Sequence, residues 1–151
     1  MRRSIAVKPV GAWNAREAID RVILDADDRQ RRRIMLAGEK GTTFLLDLER
    51  PVSLRNGDGL VLDDGGVVEV QGAPEPLIEI KGRSATDMLR LAWHIGNRHT
   101  DLQIVEDRLR IRRDHVLEAM LAQMGASLAP VDAPFDPEAM PQTAGGASHD
   151  H

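Results

Sequence analysis

The sequence predicts an α+β chain in two parts, an N-terminal antiparallel β domain and then a βαββαβ domain. Three observations carry that expectation. Between about Ile34 and Val70, short apolar β-type runs alternate with turn signals. At QGAPEP, residues 71–76, a glycine and two prolines interrupt the pattern without periodic apolar residues, as a linker does. Beyond Phe135, the segment DPEAMPQTAGGASHDH is rich in Pro, Gly, Ala and Ser, the composition of a flexible tail. The expected division is a β domain over 1–72, a linker over 73–76, a second domain over 77–135 and a tail over 136–151.

Residues 1–33 are less patterned: NAREAIDRVILDADDRQRRR, residues 14–33, fits an acidic-basic helix or extended strand with a solvated charge run, and strand is the favoured reading. DDRQRRR, residues 27–33, reads as a turn between strands, because Asp27 and Asp28 offset its basic charge. IMLAG, GTTFLLDL, SLRNGDG and GLVLDDGGVVEVQG continue the β pattern. The most specific piece is LVLDDGGVVEV, where two Val/Leu-rich strands flank glycines able to take the positive φ of a tight hairpin. Asn56-Gly57 marks another turn.

In the second part LIEIK predicts a strand and SATDMLRLAWHIG a helix. Ser84 and Asp87 form a variant capping box, Ala85, Met88, Leu89 and Ala92 a stripe, and Gly96 the stop. LQIVED and RLRIRR predict two tightly joined strands. DHVLEAMLAQMG predicts a helix with Asp114 as N-cap, Val116, Leu117, Met120, Leu121 and Met124 on one face, and Gly125 as terminator. ASLAPVDAPF supplies a last strand. This order is the ferredoxin-like arrangement, two helices over one face of a four-stranded antiparallel sheet.

Composition narrows the function. The chain is 42% hydrophobic with a net charge of −4, and cutting after Glu75 leaves 12 basic and 13 acidic residues before the cut against 8 and 11 after it. Neither part is built to grip nucleic acid. With no cysteine, any metal is held by imidazole, carboxylate or backbone oxygen. The apolar run of MRRSIAVKPVGAW breaks at Lys8 and Pro9, and no segment approaches about 18 apolar residues, so a cytoplasmic chain without membrane contact is expected. GxSxG, HExxH and GxGxxG are absent, and GEKGTT at 38–43 has its lysine too early for a phosphate loop. Asp27-Asp28 and Asp63-Asp64 sit in turns, where acidic residues are ordinary.

The histidines stand apart. His94 lies inside the first predicted helix, where a hydrogen-bonding helix residue is the plainer reading. His99 follows the helix stop, in a connection from which an imidazole can project as an exchangeable ligand. His115 opens the second helix beside Asp114, and His149 and His151 end the chain as His-Asp-His. One imidazole cannot hold a transition metal well. A two-fold axis near His99 would supply the same side chain twice, with His149 and His151 to complete the sphere.

HIGNRH, the LQI after it, LRIRRDHVLEAML, the MGA turn and APFDPE together resemble the C-terminal domain of the UreE family, urease accessory nickel chaperones. GTTFLLDLERPVSLRNGDGLVLDDGGVVEV resembles that family's N-terminal domain. The resemblance covers roughly residues 34–140. It implies a homodimeric cytoplasmic metallochaperone, not an enzyme, that passes Ni2+ to the urease apoprotein complex with an assembly GTPase as partner. His99, the last residue of GNRH, is the implied metal ligand. Arg112-Arg113-Asp114-His115 departs from the family's histidine-richer pattern there, leaving His115 as an accessory ligand. The short Ser148-His149-Asp150-His151 ending implies few ions per dimer. Cu2+ and Zn2+ are expected to bind in vitro too, because imidazole does not select nickel. The competing reading is a non-enzymatic adaptor that binds protein and whose histidines are incidental. A hydrolase using His99 as base lacks an identifiable nucleophile.

Overall fold

The computed structural model describes residues 2–138. Ten strands and two α-helices form two sheets: β1 Arg2–Lys8, β2 Asp20–Leu24, β3 Arg33–Ala37, β4 Thr43–Asp47, β5 Gly59–Leu62, β6 Val67–Gly72, β7 Pro74–Lys81, α1 Ala85–Asn97, β8 Gln103–Val105, β9 Arg108–Arg112, α2 His115–Gln123 and β10 Ser127–Pro134. Short 3-10 turns occupy Ala15–Glu17 and Asp28–Gln30.

The first sheet has six strands in the order β2-β6-β5-β1-β4-β3. The DDGG hairpin forms as expected. Leu62 N donates to Gly66 O at 2.7 Å, the Asp64 carboxylate accepts from Gly66 N at 3.0 Å, and Gly65 takes φ 91. The sheet is nevertheless mixed where an antiparallel one was expected, since β1 runs parallel to β4 and β2 parallel to β6. Tight turns force reversal only within the β3–β4 and β5–β6 hairpins. No tight turn joins β1 to β4 or β2 to β6, so packing sets those directions. SLRNGDG lies in the connection before β5 and adds no strand of its own. The sheet curls like a barrel, with Glu39 N beyond β3 donating to Arg21 O on β2 at 2.9 Å. Its interior holds Val22, Leu24, Phe44, Leu46, Leu54, Leu60, Val68 and Val70.

GEKGTT has a structural role. The buried Asp20 carboxylate accepts from Lys40 N at 2.9 Å and Thr42 N at 3.0 Å, so an internal anion already occupies the loop's amides. Burial opposes that charge, yet the N–H groups of Lys40, Arg21 and Thr42 together hold the carboxyl well below the ordinary carboxylate range. A Cβ on Gly38 would lie 2.2 Å from the Asp20 carboxylate, so only glycine admits this contact.

The second sheet has the order β10-β7-β9-β8, with every adjacent pair antiparallel. Both helices pack on the face carrying Ile78, Ile80, Leu109 and Ile111. Each is capped as predicted, Ser84 Oγ accepting from Asp87 N at 3.1 Å and the Asp114 carboxylate from Leu117 N at 3.0 Å. The stripes differ in detail. Leu91 and Ile95 are the buried residues of α1 and Leu117 and Leu121 those of α2, whereas Leu89 and Val116, expected inside, are 72% and 71% exposed.

Pro74 to Pro76, expected as linker, are the first residues of β7 and pair with Pro134 to Asp132 of β10. These prolines are tolerated because β9 reaches only as far as Leu77, leaving one side of residues 74–76 without a ladder partner. Arg29, expected in a solvated turn, is only 1% exposed at the junction of the two sheets. Ala26, Leu77 and Phe135 form a small apolar cluster there. Asp136 to Glu138, expected as the start of the tail, are held by hydrogen bonds to both parts of the chain.

Candidate functional site

The first helix does not stop at Gly96. It continues to Asn97, Arg98 caps it, and His99 takes the left-handed backbone with φ 59, its N–H donating to Gly96 O at 3.1 Å. Glycine usually fills this position after a helix, because a Cβ there crowds the following carbonyl. The chain thus places an exposed imidazole where glycine would cost less.

The connection after His99 is well anchored. Asp101 pairs with Arg112 Nη1 at 3.2 Å, and Leu102 O accepts from Glu138 N at 2.7 Å. Arg112 also reaches Asp27 at 2.9 Å and Glu75 at 3.4 Å, and its guanidinium carbon lies 5.0 Å from the centroid of the Phe135 ring. Partial burial works against the Arg112 charge, but Asp27, Glu75 and Asp101 outweigh it and hold the guanidinium above its ordinary pKa.

His115 is exposed at the first position of α2. Beside it, Glu118 accepts from Arg113 at 3.1 Å and Asp114 N at 2.7 Å. Burial disfavours the Glu118 charge, yet those partners hold its carboxyl below the ordinary range. His94 is half-buried with its ring edge-on to Trp93 at 4.9 Å, in keeping with a helix residue. His149 and His151 lie outside the described residues.

Among the described residues, no three His, Asp or Glu side chains gather where they could hold one metal ion, so His99 and His115 are not joined into a ligand set within the chain. On the outer side of α1, Leu89 and Trp93, one helical turn apart, are 72% and 63% exposed. The sequence hides this patch, because Leu89 fits the apolar stripe of the predicted helix as well as the covered residues do. Among the described residues, no helix is long and apolar enough to cross a membrane.

Comparison with known proteins shows the family. Residues 5–73 match the model of the UreE urease accessory protein N-terminal domain, and residues 75–151 that of its C-terminal domain. The chain belongs to the UreE family. Proteins named urease accessory protein UreE are 51% identical in Rhodopseudomonas palustris strain BisB18, over 100% of this chain and 72% of that protein, and 53% identical in strain HaA2, over 88% and 62%. A third, from Bradyrhizobium sp. strain ORS 278, is 52% identical over 88% of this chain and 64% of its own length. The chain thus spans less than two thirds of two of these three relatives. UreE is a family of accessory chaperones, not of enzymes.

Proposed function

We propose that the chain is a homodimeric cytoplasmic metallochaperone that carries Ni2+ to urease during assembly of its metal centre, with His99 of each copy as the shared ligand. The observation that carries this reading is His99 itself, an exposed imidazole kept in a left-handed conformation at the end of α1, with no three-residue ligand set around it among the described residues. Two copies meeting on a two-fold axis would supply two imidazoles to one ion. The exposed Leu89 and Trp93 give that meeting an apolar anchor on the same helix. His115, His149 and His151 serve as supplementary ligands.

So few protein ligands suit a cargo, since an ion with exchangeable positions can pass to another donor set by ligand substitution. Each ligating imidazole must be neutral, so binding competes with protons. Nickel is the physiological ion, and Cu2+ and Zn2+ bind the same donors in vitro. We read the recipients as the urease apoprotein complex and its assembly GTPase, and the first β domain as the surface that engages a partner. We further read the chain as two domains, divided at Ala73, and the second as ferredoxin-like. Its element order, its antiparallel strand order and the break between the two family matches at 73 and 75 support that division.

Calorimetric nickel titration of the full chain and of His99→Ala tests the site. One tight site per dimer, lost in the variant while circular dichroism stays unchanged, is the expected result. A folded His99→Ala chain with undiminished affinity and stoichiometry would return the histidines to scaffold and favour the adaptor reading.

A further inference from the structure

The guanidinium of Arg112, at the end of β9, meets carboxylates from three separate parts of the chain. Nη2 lies 2.9 Å from Asp27 in the first sheet's β2–β3 connection, Nε 3.4 Å from Glu75 on β7, and Nη1 3.2 Å from Asp101 in the connection after His99. A planar fork with nitrogens at fixed angles sets those carboxylates relative to one another, which an ammonium on a flexible stem cannot do.

The β2–β3 connection that supplies Asp27 is itself firmly held. Asp25 O accepts from Arg29 N at 3.0 Å, the Asp25 carboxylate from Asp28 N at 2.8 Å, and Arg29 O from Leu54 N at 2.9 Å. It reaches the second sheet at two further points. Ala26 N donates to the Glu75 carboxylate at 3.0 Å, and the buried Arg29 donates to Phe135 O and the Asp136 carboxylate. Asp136 N in turn donates to Gln103 Oε1 at 3.2 Å, at the start of β8. Thr100 to Leu102 belong to neither α1 nor β8. Their course is therefore fixed by contacts from outside, Arg112 gripping Asp101 and Asp136 holding Gln103 just beyond.

We propose that Arg112 is a positioning residue for His99, and that the first sheet shares in this through Asp27 and Arg29. The left-handed turn at His99 sets how the chain leaves α1, and the grip on Asp101 sets where it arrives two residues later. Between those two fixed points the imidazole is restricted in the direction it projects. The contributions are unequal. The Asp27 side chain is 79% exposed, and a surface ion pair holds little by itself. Arg112, with three partners, and Arg29, shut away between the sheets, carry most of the effect. The value of this positioning for nickel rests on the proposed reading of His99, whereas the coupling between the first sheet and residues 100–102 does not.

The coupling is read without metal, on the full chain, from NMR order parameters of the Thr100 to Leu102 amides. Values near the rigid-backbone level of about 0.85 are expected in the wild type, falling toward about 0.6 in Arg112→Met. Arg112→Lys should behave like Arg112→Met, because it keeps the charge and loses the fork. Arg29→Met should loosen the same amides from the first sheet, and Asp27→Ala should do so to a smaller extent and serves alone if Arg29→Met does not fold. Arg113→Met, which removes a neighbouring charge paired instead with Glu118, should leave them rigid. Nickel titration of Arg112→Met should find affinity lower by roughly tenfold with His99 intact, the lower end for losing an outer support of a ligand. Rigid amides in Arg112→Met, full rescue by Arg112→Lys, equal loosening in Arg113→Met, or loosened amides with unchanged nickel affinity would each overturn the proposal. Loosening by Arg112→Met alone, with the Asp27 and Arg29 variants rigid, overturns the first sheet's share in it. A wild-type chain that binds no nickel would sink the metal reading instead and leave the order parameters standing.

Discussion

Replacing His99 by glycine and, separately, by alanine isolates the backbone strain at the candidate ligand. Both substitutions remove the imidazole and every contact it makes, so the difference between them reports only on a left-handed position with φ 59. That conformation costs a residue with a Cβ about 1–2 kcal/mol. Glycine gives back about 0.4–1 kcal/mol through its greater freedom in the unfolded chain. The net expectation is that His99→Gly is more stable than His99→Ala by about 0.5–1 kcal/mol, which for a chain of this size is roughly 1–4 °C in Tm. Parallel thermal melts followed by circular dichroism, without metal, measure it. Nickel titration of the same two proteins should find the tight site absent from both. If alanine proves as stable as glycine, His99 does not sit in the left-handed well, and its placement no longer marks it as a ligand.

Trp93→Glu, on the exposed face of α1, should weaken self-association by at least about thirtyfold, the scale of an aromatic anchor worth about 2 kcal/mol; light scattering across a concentration series reads it, and an unchanged dimer would move the interface elsewhere. Nickel affinity should fall from neutral to mildly acid pH, because a ligating imidazole must be neutral and protons compete with the ion for it. A flat profile in titrations across that window would point to carboxylate ligands. Deleting Ser148 to His151 should keep one site per dimer with reduced affinity or total stoichiometry, whereas loss of the tight site would make the tail primary. Asp20→Asn should cost about 2 kcal/mol through its lost charge-assisted hydrogen bonds to the 38–42 loop. Since the Asp20 pKa is lowered on folding, its contribution is complete above the unfolded value of about 4 and is lost as pH falls below it. The gap between wild type and variant in urea melts should therefore narrow only in acid.

What the sequence determined by itself was what neighbours along the chain decide. Ser84 and Asp114 cap their helices through N–H groups three residues on, and DDGG closes its hairpin within four residues. Both were legible because every participant is local. His99 could be singled out by its place after a helix and by the GNRH motif, although the helix end was set at Gly96, three residues too early for the left-handed position to be seen. The tertiary structure alone decided the rest. The parallel placement of β1 and β2 depends on strands far away in sequence, since no short turn dictates their direction. Leu89 and Val116 fit an apolar stripe as well as Leu91 and Leu117 do, and only the position of the sheet selects which of them are covered. Arg29 looked like one more solvated charge in DDRQRRR. Its burial is stabilised by Leu54, Phe135 and Asp136, and a buried guanidinium is tolerable only where such partners replace the water it loses. Those partners come together only when both sheets have formed, which no local pattern encodes.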